Sequence, residues 1–168
     1  STVTRHRHRV IAHCARAGIL WQGLRHDLSK YSPTEFWQGV KFFDGTHSPT
    51  EDERRTLGYS LAWMHHKGRN RHHWEYWTDY SMAQMRYVPV PMPRRYMAEM
   101  ICDRIAASKI YNGERYTDAC PLAYLQRGKM HDHMPDTQAL LARFLTQLRD
   151  EGEDAMFASL RQWVREKA

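Results

Sequence analysis

The sequence predicts an all-α fold, and three observations carry that expectation. Apolar residues recur at helical spacing along most of the chain. Two Ser-Pro-Thr-Glu stretches, at 32–35 and 48–51, have the chemistry of helix starts. No stretch alternates apolar and polar residues as a half-buried strand does. With 168 residues, 42% of them hydrophobic and 26% charged, the chain has the size and balance of one globular domain. The expected architecture is a helical bundle, with a core over about 5–111 and further helices over 121–168 that end in a helical hairpin.

Each element has its own local reason. The first helix is expected over about 4–20: Val3, His6, Val10, Cys14 and Ala17 share a stripe with His13 at its edge, while Arg5, His8, Arg9 and Arg16 face solvent. Gly18 or Gly23 ends or interrupts it. A short helix over 21–28 follows. Ser32 is then an N-cap with Pro33 at N1 and Glu35 at N3, opening a helix with Phe36, Trp37, Val40 and Phe43 that Asp44-Gly45-Thr46 breaks. Ser48 repeats the start and opens one helix reaching about His66, which Gly68-Arg69-Asn70 stops. The aromatic stretch 74–87 is either helix or irregular. Val88-Pro89-Val90-Pro91-Met92-Pro93 cannot be helical and reads as a rigid connector. A strong helix over 94–111 follows, with a stripe of Tyr96, Met97, Met100, Ala107 and Tyr111, then a short helix over 121–128. Segments 137–149 and 153–165 form the hairpin around Glu151-Gly152.

Composition excludes several classes. Mean hydropathy is −0.76, and no apolar run approaches the roughly 18 residues that a membrane helix needs, so no membrane partner is expected. The start, Ser1-Thr2-Val3-Thr4-Arg5-His6, lacks the apolar core of a signal peptide, and the missing initiator Met points to a trimmed chain. Three cysteines, Cys14, Cys102 and Cys120, cannot all pair and form no CxxC, so we expect small buried thiols in a reducing cytoplasm. There is no GxSxG, P-loop, GxGxxG or Cys-rich zinc motif. The net charge of +6 either favours an anionic partner, a phosphorylated small molecule or nucleic acid, or only sets solubility.

The histidines carry the chemical signal. Of 11, only His47 stands alone; the others lie in local groups or beside a carboxylate. The informative order is His6, His26-Asp27, His65-His66, His72-His73 and Asp103. Neutral imidazole and carboxylate donors suit Zn, Fe, Mn, Co or Ni. Asp103 lies in the apolar run Met100-Ile101-Cys102-Asp103-Arg104-Ile105-Ala106-Ala107, where a carboxylate needs a cation, an Arg or a hydrogen-bond network. Taken alone, Asp103 is more often a salt-bridge partner of Arg104 or Lys109, and His6 a satisfied core histidine. Their joint occurrence favours a metal site.

Leu24-Arg25-His26-Asp27-Leu28-Ser29-Lys30 resembles the His-Asp-x-x-Lys signature of the HD superfamily of metal-dependent phosphohydrolases. More narrowly, the chain is similar to an HD-like family of unknown function in bacteria and phages, through His6 with Val10, His26 to Lys30, His65-His66, Asn70 to Glu75, and Glu99 to Asp103. The resemblance covers about 5–111. It implies an HD-domain-like all-α fold and one or two divalent transition metal ions held by His6, His26, Asp27, His66, His73 and Asp103, with Asp27 able to bridge two. If the helix continues, the stripe of Leu57, Leu61 and Met64 favours His65 over His66 as a ligand, whereas the family motif favours His66. In this reading His65, Asn70 and His72 are substrate contacts or support the ligands. Lys30 is either a phosphate contact, which with Asp27 would make up the catalytic pair, or a solvated helix-end lysine. Glu99 either bonds a ligand histidine or pairs with Arg95.

The function so implied is hydrolysis of a nucleotide or other small phosphate ester. A di-iron oxygenase of HD-like fold and a non-catalytic nucleic-acid or protein-binding module are the alternatives. Three further features weigh less. Trp63, Trp74, Tyr76, Trp77 and Tyr80 would stack a base or form plain core. The run Arg5-His6-Arg7-His8-Arg9 would touch phosphates or lie on a solvated face. His131-Asp132-His133 would bind metal, cap a helix or be exposed.

Overall fold

The computed structural model describes residues 2–42, 49–128 and 130–166. The expected break at Asp44-Gly45-Thr46, the cap at Ser48, and Phe43 and His47 lie outside them, as does the side chain of His131. Along the chain run α1 (Thr2–Arg16), α2 (Leu20–Arg25), a 3-10 turn (Leu28–Tyr31), α3 (Pro33–Lys41), α4 (Pro49–Leu57), α5 (Leu61–Arg69) and a second 3-10 turn (Trp74–Tyr76). Then come strands β1 (Thr78–Ser81) and β2 (Arg86–Pro89), α6 (Arg94–Asn112), a third 3-10 turn (Gly113–Arg115), α7 (Cys120–Arg127), α8 (Met130–His133) and α9 (Pro135–Arg165). The class is all-α. Among the described residues the exception is one small antiparallel hairpin, in register Tyr80 to Tyr87, inside the stretch the sequence left as helix or irregular. Its strands are four residues long and largely exposed, too short to show alternation. The chain forms two compact units, Ser1–His26 with Trp77–Ala168, and Asp27–Tyr76.

In the first unit α1 packs on α2, α6 and α9. Val10, Cys14 and Ala17 are fully buried, as the expected stripe requires, whereas Val3 is exposed. Gly23 of α2 sits on α1 so closely that a Cβ there would lie 2.6 Å from Cys14 Cβ, inside any tolerable contact. Helix α6 contributes Met97, Ile101 and Ile105 to the core, but Tyr111, placed on its stripe by the sequence, is exposed. Helix α9 is interrupted at Gly152, whose φ of 84° and ψ of 176° reverse the chain. Its two arms fold back on each other, bringing the Phe144 and Trp163 rings to 5.5 Å and Gln147 Nε2 to 2.9 Å from Ser159 Oγ. This is the expected terminal hairpin. Arg16 pairs with Glu153 and Asp154, and Lys109 also pairs with Glu153. Cys14 and Cys102 are buried, but Cys120 is only half-buried because it opens α7 at the surface.

In the second unit α3 packs on α4 and α5. Ser32 caps α3 as expected, accepting from Glu35 N at 3.4 Å. The single helix expected from Ser48 to about His66 is instead two. The break falls at Gly58–Ser60, where Ser60 caps α5 by accepting from Trp63 N. Buried Glu53 holds the break: it accepts from Ser60 Oγ and from the backbone N–H of Leu61 and Ala62, satisfying the first donors of α5. The break resets the helical phase. Leu57, Leu61 and Met64, the expected inward stripe, are all exposed, while Ala62 and His66 are buried.

Candidate metal-binding clusters

Each unit gathers its own set of donors. In the first, α1 supplies His6, the residue after α2 is His26, and α6 supplies Asp103 with Glu99 one turn earlier. His6 Nε2 lies 2.8 Å and His26 Nε2 3.3 Å from the same carboxylate oxygen, Asp103 Oδ1. The three ligand atoms fall within 4.8 Å of one another. The opposite nitrogen of His26, Nδ1, donates to Glu99 Oε1 at 2.9 Å, and the other Glu99 oxygen accepts from Gln22 Nε2 at 2.7 Å. A carboxylate on the far side of an imidazole fixes its tautomer and leaves Nε2 to face the cluster, the usual arrangement behind metal-bound histidines. Glu99 thus bonds His26, one of the two kinds of partner expected for it.

His13 lies outside this cluster. Its Nδ1 meets the Cys102 carbonyl at 3.2 Å and its ring packs on Phe157. Burial lowers its pKa to about 4, against a rise from the Cys102 carbonyl, with the Lys109 ammonium lowering it further. It is therefore a neutral core histidine near pH 7.

In the second unit the donors come from shorter elements. Asp27 stands at φ 54°, ψ 25°, a left-handed conformation costing about 1 kcal/mol for a residue with a side chain. It ends the run begun by α2, and its carbonyl opens the 3-10 turn by accepting from Lys30 N. The helix expected to reach Leu28 thus stops at Arg25. Asp27 is buried, and its Oδ1 lies 3.3 Å from His66 Nε2 and 3.5 Å from His72 Nε2. His66 Nε2 is also 2.9 Å from His73 Nε2. Asp27, His66, His72 and His73 each present a ligand atom within 4.8 Å of the others. His66 is thus in the cluster, the choice made by the family motif rather than by helical phase, and His72 stands among the candidate ligands as well as His73.

Around this set lies a polar shell. Glu35 accepts from His66 Nδ1 at 2.8 Å with one oxygen and from His65 Nδ1 at 2.7 Å with the other. Asn70 Nδ2 donates to Ser29 Oγ at 2.7 Å and to the His66 carbonyl at 2.9 Å, tying the end of α5 to the 3-10 turn. Burial by itself raises the Glu35 carboxyl, but hydrogen bonds from His66, Ser29 and His65 hold it below the ordinary value. For His66, burial lowers the pKa, yet hydrogen bonds to Asp27 and Glu35 outweigh it and lift the pKa to about 8. Lys30 Nζ lies 2.6 Å from Asp27 Oδ2, and its side chain is 36% exposed. His65 is not among the candidate ligands; it faces Glu35.

Trp63 stacks beside His66 at 5.7 Å, meets His73 edge-on at 4.8 Å and lies under the Arg54 guanidinium. Its ring is spoken for by protein, so of the two roles open to it, base stacking or packing, the geometry favours packing. Asp132 and His133 are exposed on α8, and Arg5, His8 and Arg9 on α1. Glu35 is the residue that sequence reasoning missed as part of a site, because its position three after Ser32 explained it as a cap.

The chain belongs to DUF5662, a family of unknown function. The match spans residues 1–147, which takes in every candidate ligand. No curated protein and no solved structure matches the chain. Among the described residues no helix is long and apolar enough to cross a membrane.

Proposed function

We propose that this chain is a metal-dependent phosphohydrolase that acts on a nucleotide or other small phosphate ester. The observation that carries the reading is the convergence of Asp27 Oδ1 with the Nε2 atoms of His66, His72 and His73 in a largely buried cluster of carboxylate and imidazole donors. The set fits a borderline transition metal: nitrogen and oxygen donors, no thiolate, and a ligand histidine braced at Nδ1 by a carboxylate. His6, His26 and Asp103, braced by Glu99, offer a second such set, so one or two ions are expected. A divalent ion held there would polarise a phosphoryl oxygen and lower the pKa of its water.

The chain's own residues supply the rest. Asp27 holds the Lys30 ammonium beside the cluster, and the partial exposure of Lys30 leaves it able to meet an incoming anion. An ammonium so placed gains most where negative charge concentrates on the phosphoryl oxygens in the transition state. The resemblance of His26-Asp27-Leu28-Ser29-Lys30 to the HD signature supports the same assignment. Elemental analysis of protein purified without chelator, followed by a metal-supplemented screen of phosphorylated metabolites, tests it. Near-stoichiometric metal and phosphate release, both lost in Asp27→Ala, are expected. A folded Asp27→Ala protein with its full metal content overturns the ligand assignment, and metal without phosphate release across the screen overturns the hydrolase reading. Iron with oxygen consumption would move the protein to the oxygenase class.

A further inference from the structure

We infer that Glu35 is a positioning residue that sets the tautomer of neutral His66, keeping the proton on Nδ1 and leaving the Nε2 lone pair for a cation shared with Asp27 and His73. The metal part of this inference rests on the proposed centre; the tautomer part stands on the metal-free protein alone.

Glu35 is free of the hydrogen bond that its place in the helix would ordinarily ask of it. At the third position of a capped helix, a Glu side chain ordinarily reaches back to the N–H of the capping residue. Here the Ser32 N–H is already given to the Ser29 carbonyl at 2.9 Å, through the 3-10 turn that begins at Asp27. The Glu35 carboxylate is therefore released from capping, and it is buried. Its two oxygens take one imidazole N–H each, from His65 and His66. His65 and His66 are consecutive on α5, so one carboxylate fixes two neighbouring rings at once.

At His66 the choice of tautomer follows. Around Nδ1 stand Glu35 Oε2 at 2.8 Å, Asn70 Nδ2 at 3.2 Å and Ser29 Oγ at 3.3 Å. An ionised carboxylate only accepts, so the short Glu35 contact requires the proton on Nδ1. Nε2 is left facing Asp27 Oδ1 and His73 Nε2, where a lone pair is useful to a cation and a second N–H is not. Partners of this kind on ligand histidines are worth about 10–100-fold in metal affinity.

The test uses full-length protein labelled with nitrogen-15 in histidine. Long-range proton–nitrogen spectra of metal-free protein, recorded at alkaline pH where the ring is neutral, report which ring nitrogen carries the proton. Wild type is expected to show His66 with the proton on Nδ1. Glu35→Gln, which keeps the shape and removes the charge, is expected to shift it toward Nε2. Titration with cobalt(II) should then show affinity about 10–100-fold weaker and an altered visible absorption spectrum. A wild-type His66 protonated on Nε2 overturns the inference without any variant, which matters if Glu35→Gln does not fold. A folded Glu35→Gln protein with unchanged tautomer and unchanged cobalt affinity also overturns it. Wild type with the Nδ1 proton but no cobalt binding would leave Glu35 in its role and refute the metal reading instead.

Discussion

His13 in the first unit and His66 in the second are both buried, yet their proton affinities move in opposite directions. Burial lowers both. For His13 the main compensating group is a backbone carbonyl, a neutral acceptor, and the smaller pull of the Glu153 carboxylate is opposed by the Lys109 ammonium and the Arg16 guanidinium. For His66 the neighbours are two carboxylates, Asp27 and Glu35, whose charge outweighs desolvation. Depth therefore does not distinguish a core histidine from a candidate ligand; the charge and direction of its partners do. The same contrast runs through the scaffolds. The donors His6 and Asp103 ride on long helices, whereas Asp27, His72 and His73 sit in turns whose geometry depends on local hydrogen bonds.

The largest test of this contrast removes one ring from each class. His66→Ala should abolish metal binding by the second unit, read by elemental analysis, while His13→Ala should leave metal content unchanged and lower only stability. Equal metal loss in the two variants would break the distinction. Next in size is Lys30. Lys30→Met should lower turnover of a phosphate ester by about 10²-fold or more with metal retained. If Lys30 is only a helix-end charge, turnover stays normal and stability falls by about 0.3–1 kcal/mol.

The opposite pKa shifts predict opposite pH slopes in chelator-treated protein. His13 is depressed to about 4, so between 6.5 and 4 the unfolded chain binds the proton more readily. Its contribution, up to about 3 kcal/mol, is present above pH 6.5 and is lost as pH falls toward 4. His66 is raised to about 8, so its contribution of up to about 2 kcal/mol is present below pH 6.5 and is lost as pH rises through 8. Denaturant midpoints across pH 4–9 read both slopes, and each slope should vanish in the corresponding alanine variant. A packing effect of similar size is expected of Gly23→Ala, whose new methyl meets Cys14 at 2.6 Å and should cost about 1–3 kcal/mol. No change in melting temperature would show that α1 and α2 separate freely.

How far the site was legible depends on what holds each residue. The inward placing of His6 followed from helical spacing and that of Asp103 from its apolar run, and Ser32 from its Pro-Thr-Glu context, because a helix repeats its geometry every turn and a cap acts within three residues; that His6 and Asp103 share a site was implied by the order of the histidines and by the HD resemblance. His72 and Glu35 could not be ranked that way. His72 lies in a turn, where no periodicity says which neighbour points inward. Glu35 had a sufficient local explanation as a cap residue. One signal was available, since a buried turn that uses up the Ser32 N–H frees the third-position carboxylate, but that turn depends on the left-handed Asp27.

The sequence by itself determined the all-α class, the terminal hairpin at Gly152, most helix ends, and the inventory of imidazoles and carboxylates. These rest on interactions within a few residues of one another. Only the tertiary structure decided that α4 and α5 part at Gly58–Ser60 around buried Glu53, that His66 rather than His65 faces Asp27, and that Glu35 serves two histidines about 30 positions away. Those choices turn on which donor meets which acceptor across a fold, and a buried carboxylate takes whichever N–H groups packing brings to it.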